Sequence, residues 1–151
     1  MIAMLYHIGG RERPMLKFLS CRRGASAVEF AMLLPVFLTM VFGIVVFGSY
    51  LAVVHGLQQL AAEAARSSIA GMSSSERASL ATSYVSANVG TYPLIAASNV
   101  SVNAATSVAN PNVFVVTVSY NAAGMVIYSL PFVPAPSSTI VRSAAIPYGG
   151  F

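Results

Sequence analysis

The sequence has no aspartate and no tryptophan, one cysteine (Cys21) and two histidines (His7, His55), and only 8% of its 151 residues are charged. A disulfide within the chain is excluded, and so is a Ser-His-Asp triad. Beyond Ala25 the groups able to move protons or ligate a hard metal reduce to Glu29, Glu63, Glu76 and His55, and no thiol remains to bind zinc. His55 stands at the edge of a long apolar run, a poor place for a solvent-accessible base. These absences point away from an enzyme and from any metal, cofactor or small-molecule substrate.

Charge is scarce and one-sided. Five of the eight Lys and Arg side chains (Arg11, Arg13, Lys17, Arg22, Arg23) precede Gly24 against the single Glu12, so the first 24 residues carry the whole formal net charge of +4. After Gly24, Arg66, Arg77 and Arg142 balance Glu29, Glu63 and Glu76. The pI of 9.6 therefore describes an N-terminal leader, and a basic nucleic-acid surface is disfavoured.

What the chain has in abundance is apolar sequence, with a mean hydropathy of +0.74. From Phe30 to Val54 run 25 uncharged residues, interrupted in their apolar character only by Pro35, Thr39, Gly43, Gly48 and Ser49. As a helix at about 1.5 Å per residue this run covers roughly 37 Å, enough to cross a hydrocarbon core of about 30 Å. Lys17, Arg22 and Arg23 flank its start and no basic residue follows before Arg66, so the charge bias sets the N-terminus in the cytoplasm and exports the rest. Pro35 predicts a bend. Gly43 and Gly48 are five apart and so do not form the small-residue dimer motif.

Helical character continues beyond the run in GLQQLAAEAARSSIA (56–70), with Glu63 and Arg66 spaced to pair, so a single helix is expected over 25–70 with Gly71 as its C-cap. Ser73 and Glu76 have capping-box spacing and open a second helix to about Val89, with Leu80, Tyr84, Val85 and Ala87 as its apolar side. The partner of that side is expected in strands. Phe114, Val116, Val118 and Tyr120 alternate with Val115, Thr117, Ser119 and Asn121. Val100 and Val102 mark a shorter strand, and Asn110-Pro111-Asn112 turns between the two. Thr139 to Ile146 forms a third after the loop of Pro131, Pro134 and Pro136, with Arg142 on the side of Ile140, and Met125 to Tyr128 reads as a short strand or a loop edge. The fold class is α+β, in three parts: a leader over 1–24, a transmembrane and protruding helix over 25–70, and an exported head over 71–151. Residues 71–151 hold three charged side chains against 25 Ser, Thr and Asn, a surface compatible with packing against related subunits or with plain solvation.

The stretch CRRGASAVEFAMLLP (21–35) carries the most chemistry. Arg22 and Arg23 hold the following bond at the cytoplasmic face, and Gly24 before Ala25 supplies an unhindered bond for a protease. A cut there frees an ammonium at Ala25 and makes Glu29 the fifth residue, within the first turn or so of a helix whose N-terminal dipole favours its carboxylate. An ionised Glu drawn to the bilayer centre costs about 2–3 kcal/mol, so Glu29 either finds a partner, such as a neighbouring subunit's amine, or rests at headgroup level.

RRGASAVEFAMLLP resembles the prepilin-type signal of TadE-like minor pilins (pseudopilins) of the Tad/Flp tight-adherence pilus, and LQQLAAEAARSSIAG resembles the second helical block of the same family. The resemblance spans about residues 22 to 71. It implies cleavage between Gly24 and Ala25 by a membrane prepilin peptidase, with Arg22 and Arg23 as leader charges and Glu29 matching the family's assembly carboxylate. It implies no cofactor. The partners it implies are that peptidase, the inner-membrane pilus assembly platform, other pilin and minor pilin subunits and membrane lipid, in a role of pilus assembly rather than bulk filament. The leader is long for the family, and Met15 would give the ten-residue leader MLKFLSCRRG, so translation is expected to start there.

Two other readings use the same residues. Cys21 as a lipoprotein cysteine follows no apolar segment and precedes two arginines, which argues against it. A signal-anchored envelope protein, acting as an adhesin or binding module with its leader retained, differs from the pilin reading in a single observable, the mature N-terminus.

Overall fold

A computed structural model describes residues 22–130 and 135–148. The leader up to Cys21, with His7, Arg11, Glu12, Arg13, Met15 and Lys17, lies outside the described residues, as do Pro131 and Pro134. Two units divide within the first helix, one ending at Phe42 and one from Gly43 onward. The architecture is α+β, as expected: helix α1 (Arg22–Ser67), helix α2 (Ser74–Asn88), and strands β1 (Val100–Thr106), β2 (Val113–Asn121) and β3 (Thr139–Pro147). The strands form one antiparallel sheet in the order β1-β2-β3.

The sheet follows its alternation closely. Phe114, Val116, Val118 and Tyr120 of the central strand are buried, and the intervening residues are half-buried on the other face. Register pairs Val118 with Val102 on one side and with Arg142 on the other. Arg142 thus shares the inner face with buried Ile140, and it is only half-buried there. Its guanidinium turns back to donate to the Val141 carbonyl at 2.8 Å, a basic head bent away from an apolar face. The expected turn at Asn110-Pro111-Asn112 is held by the Asn110 side chain, which accepts from Asn112 N–H at 2.9 Å.

The far half of α1 closes the core from the other side. Val53, Leu57, Leu60, Ala61, Ala64, Ala65 and Ser68 are all buried, a helical stripe that joins Phe114, Val116, Val118 and Ile140 in one cluster. Sequence reading expected this segment only to protrude. It is instead a core element, with Gln58 on its rim donating to the Ser143 carbonyl of β3 at 3.3 Å.

Four local expectations are refined. First, the helix ends at Ala70 as expected, its last turn over Ser68–Ala70 being 3₁₀ rather than α. Second, Gly71 is the C-cap as expected, donating to Ser68 O at 3.1 Å, with an extended backbone (φ −74°, ψ 136°). The glycine answers a close approach: a Cβ there would lie 2.8 Å from the backbone nitrogen of Arg77. Gly71→Ala is expected to destabilise the head by about 1–3 kcal/mol through overpacking, read as a lower urea midpoint of the full chain in micelles. Third, α2 buries Ala81 and Val85, followed by Val89 just past its end; Leu80 and Tyr84 are half-buried and Ala87 is exposed. Alanines lie on both sides of this helix, so contact with β1 rather than side-chain apolarity selects the buried side. Fourth, Met125 to Tyr128 is no strand: Val126–Ser129 is a 3₁₀ turn, stepped by Met125 N–H to Ala122 O and Tyr128 N–H to Met125 O.

The start of α2 is capped as predicted, with one variation. Ser73 Oγ accepts from Glu76 N–H at 3.1 Å, while the Glu76 carboxylate reaches back to Met72 N–H at 2.8 Å instead of to the amide of Ser73.

Candidate processing and assembly site

Arg22, Arg23, Gly24 and Ala25 form the first turn of α1, and Glu29 follows one helical turn after Ala25. Glu29 is exposed, and so is every residue from Ser26 to Leu33. No acidic residue occupies the first turn as it stands, which begins at Arg22; with a terminus at Ala25, Glu29 becomes the nearest carboxylate to the positive end of the helix.

Beyond Glu29 the helix is apolar around its whole circumference. Phe30, Met32, Leu33, Val36 and Phe37 point in successive directions, and each is more than three-fifths exposed. Such side chains each gain about 1.5–3 kcal/mol on leaving water, so a surface made of them requires lipid or other helices around it. The polar interruptions are satisfied within the helix: Thr39 Oγ1 donates to Pro35 O at 2.8 Å and Ser49 Oγ to Val46 O at 2.7 Å. A Cβ on Gly43 or Gly48 would meet nothing within 4 Å. By length and composition this helix can cross a membrane.

Elsewhere the ionisable groups are engaged in structure. Arg66 and Glu63 form the expected i, i+3 pair at 2.8 Å, exposed and therefore worth only a few tenths of a kcal/mol. Arg77 lies 3.9 Å above the Tyr148 ring, a cation–π contact between residues too far apart in the chain for spacing to predict. His55 is exposed on α1. Burial raises the Tyr92 phenol above the ordinary tyrosine range, helped by Tyr84 and Glu63, and burial with the neighbouring Tyr50 does the same for Tyr128. Both phenols stay neutral at physiological pH.

A cleft of about 280 Å³ opens between α2 and β1, lined by Val85, Val89, Val100 and Val102 with the hydroxyls of Thr82 and Ser86. It contains no group that titrates near neutrality, so it supports no acid–base chemistry. Among the described residues no cluster of three or more His, Cys, Asp or Glu could hold a metal ion.

The residues singled out from sequence thus lie along one helix. Compared with known proteins, residues 24–66 match the family model of TadE-like proteins, a span that opens on Gly24 and ends at Arg66 in the core-forming part of α1. No curated protein and no solved structure matches the chain.

Proposed function

We propose that this chain, TadE-like over residues 24–66, is a minor pilin that takes part in assembling a Tad-type pilus for surface adherence. The observation that carries the reading is the family match, on a segment that combines a Gly-Ala bond, a carboxylate five residues on and a wholly apolar helix surface. The family suggests a pilus-associated subunit and no enzymatic activity.

In this reading a membrane prepilin peptidase cuts between Gly24 and Ala25. Arg22 and Arg23 keep the bond at the cytoplasmic face, where a cationic leader resists translocation, and Gly24 lets the peptide approach a catalytic centre without a side chain in the way. The cut removes the leader's positive charge, +4 counted from Met1 and +3 counted from Met15, and leaves a subunit anchored by its apolar helix in the inner membrane, with the head in the periplasm. The assembly platform and the other pilin subunits then supply new neighbours for the helix surface as it leaves lipid.

Gly24→Arg is expected to block the cut. Intact mass of the chain from peptidase-competent cells should show a terminus at Ala25 for the parent and a retained leader for the variant. A parent chain that keeps Arg22 and Arg23 overturns the reading in favour of a signal-anchored envelope protein.

A further inference from the structure

The head core begins inside the apolar run itself. Val53 is fully buried, and Tyr50 and Val54 pack against the core, although the uncharged run continues to Val54. No spacer separates membrane-type sequence from folded head. The run is about 7 Å longer than a hydrocarbon core of about 30 Å, so its last turn falls in the headgroup layer together with whatever the head places around it.

Two separate segments are placed there. Around Gly56, a Cβ would lie 3.1 Å from Ile95 Cδ1 and 3.3 Å from Tyr92 Cδ1, which seats the 92–95 segment against α1. Leu94 within it is 58% exposed and has φ of 70°, a left-handed backbone that a leucine adopts only under strain. The Tyr120 hydroxyl donates to its carbonyl at 3.4 Å, fixing this turn to the end of β2. The connection that follows β2 packs Tyr128 against the same core as Tyr50 and leaves Val126 63% exposed and Leu130 38% exposed. From residue 78 to residue 141 there is no charged side chain.

We propose that this end of the head is a lipid-facing surface, with Leu94, Val126 and Leu130 seated at the membrane–water boundary and Tyr50, Tyr92 and Tyr128 at headgroup level. Aliphatic side chains with amphipathic phenols beside them and no charge among them match that layer, and the surface is continuous with the helix that enters it. The strained backbone at Leu94 holds an aliphatic side chain out of the core on this side, where water alone would give it no favourable place. The opposite end of the β1–β2 hairpin carries fully exposed Val108, about 20 Å away along the strands. The inference rests on the membrane-crossing reading of Phe30–Val54, and the experiment separates the two.

The absence of tryptophan makes any introduced tryptophan the sole indole reporter. Val126→Trp, Val108→Trp and Phe42→Trp, all at exposed positions, are reconstituted as full chains in phosphatidylcholine–phosphatidylglycerol vesicles at low protein-to-lipid ratio, with lipids spin-labelled either near the headgroup or deep in the acyl chain. Far-UV circular dichroism matching the parent establishes folding, and Leu130→Trp serves as a second reporter on the same surface. The expected result is greater loss of emission from Val126→Trp and Leu130→Trp with the shallow label, greater loss from Phe42→Trp with the deep label, and none from Val108→Trp. If Val126→Trp and Leu130→Trp are quenched no more than Val108→Trp while Phe42→Trp is quenched, this end faces water or another subunit and the proposal falls. If Phe42→Trp is itself unquenched, the membrane-crossing reading falls and takes the proposal with it.

Discussion

Glu29→Ala is expected to leave the cut between Gly24 and Ala25 intact and to lower incorporation into pili by about 30- to 150-fold. The magnitude follows from the 2–3 kcal/mol that an unpaired charge costs in a lipid-like environment, at 1.4 kcal/mol per tenfold. In the proposed assembly, the cut would create an ammonium at Ala25 that has to enter a bundle of apolar helices, and a carboxylate one turn into a neighbouring subunit's helix would neutralise it there. Glu29 is exposed on α1 and available for that role, whereas Glu63 and Glu76 are committed to Arg66 and to the Met72 amide. Glu29→Gln keeps the shape and removes the charge, so it should fail as Glu29→Ala does, while Glu29→Asp should recover part of the loss. The measurement is the amount of subunit in sheared pili against the amount of processed subunit in membranes. Normal incorporation of Glu29→Gln would exclude charge pairing as the mechanism and leave Glu29 as a headgroup-level carboxylate.

The parts of the molecule legible in sequence are those with a strong one-dimensional signal. A 25-residue uncharged run admits few structures, and the four-fold alternation through Phe114, Val116, Val118 and Tyr120 admits one strand register against a core. Ser73 and Glu76 announce a helix start because both act on backbone amides nearby in the chain. What sequence left open depended on contacts distant in the chain. The buried stripe from Val53 to Ser68 was available as a 3- and 4-residue spacing of Leu57, Leu60, Ala61, Ala64 and Ala65, with Gln58, Gln59, Glu63 and Arg66 off it. Its many alanines make the stripe weak in apolarity, so it reads as propensity for helix without reading as core. Gly71 and Leu94 are the converse case. A glycine after a helix suggests a left-handed cap and a leucine suggests ordinary backbone, yet the glycine is extended, with Arg77 leaving no room for a Cβ, and the leucine is left-handed. The candidate site was legible as a motif because its residues lie in order along one helix.

Phe114→Ala is expected to remove about 3–5 kcal/mol from the stability of the head, with a further 0.5–1.5 kcal/mol for the lost aromatic pair. Phe114 is fully buried and meets Tyr148 edge-on, with ring centroids 6.3 Å apart at 73°. That ring is held from every side: its hydroxyl bonds Thr106 Oγ1 at 2.9 Å, its amide donates to Asn112 O at 2.8 Å, and the Arg77 guanidinium lies over its face. Deleting Phe114 therefore opens a cavity beside a tyrosine that cannot move to fill it without giving up these three contacts. Against a total of about 5–15 kcal/mol for a domain, the loss takes a large share of the margin. The check is the urea midpoint and protease resistance of the full chain in micelles, with Val108→Ala, at a fully exposed site, as the variant that should change neither. Because the proposed cleavage point lies in the first turn of α1 and the damage lies in the core, Phe114→Ala should still be cut at Gly24 and still partition into membranes. A subunit that is processed, inserted and unable to assemble would assign the head to contacts with other subunits. Normal assembly from a head shown to be unfolded would reduce it to cargo on the helix.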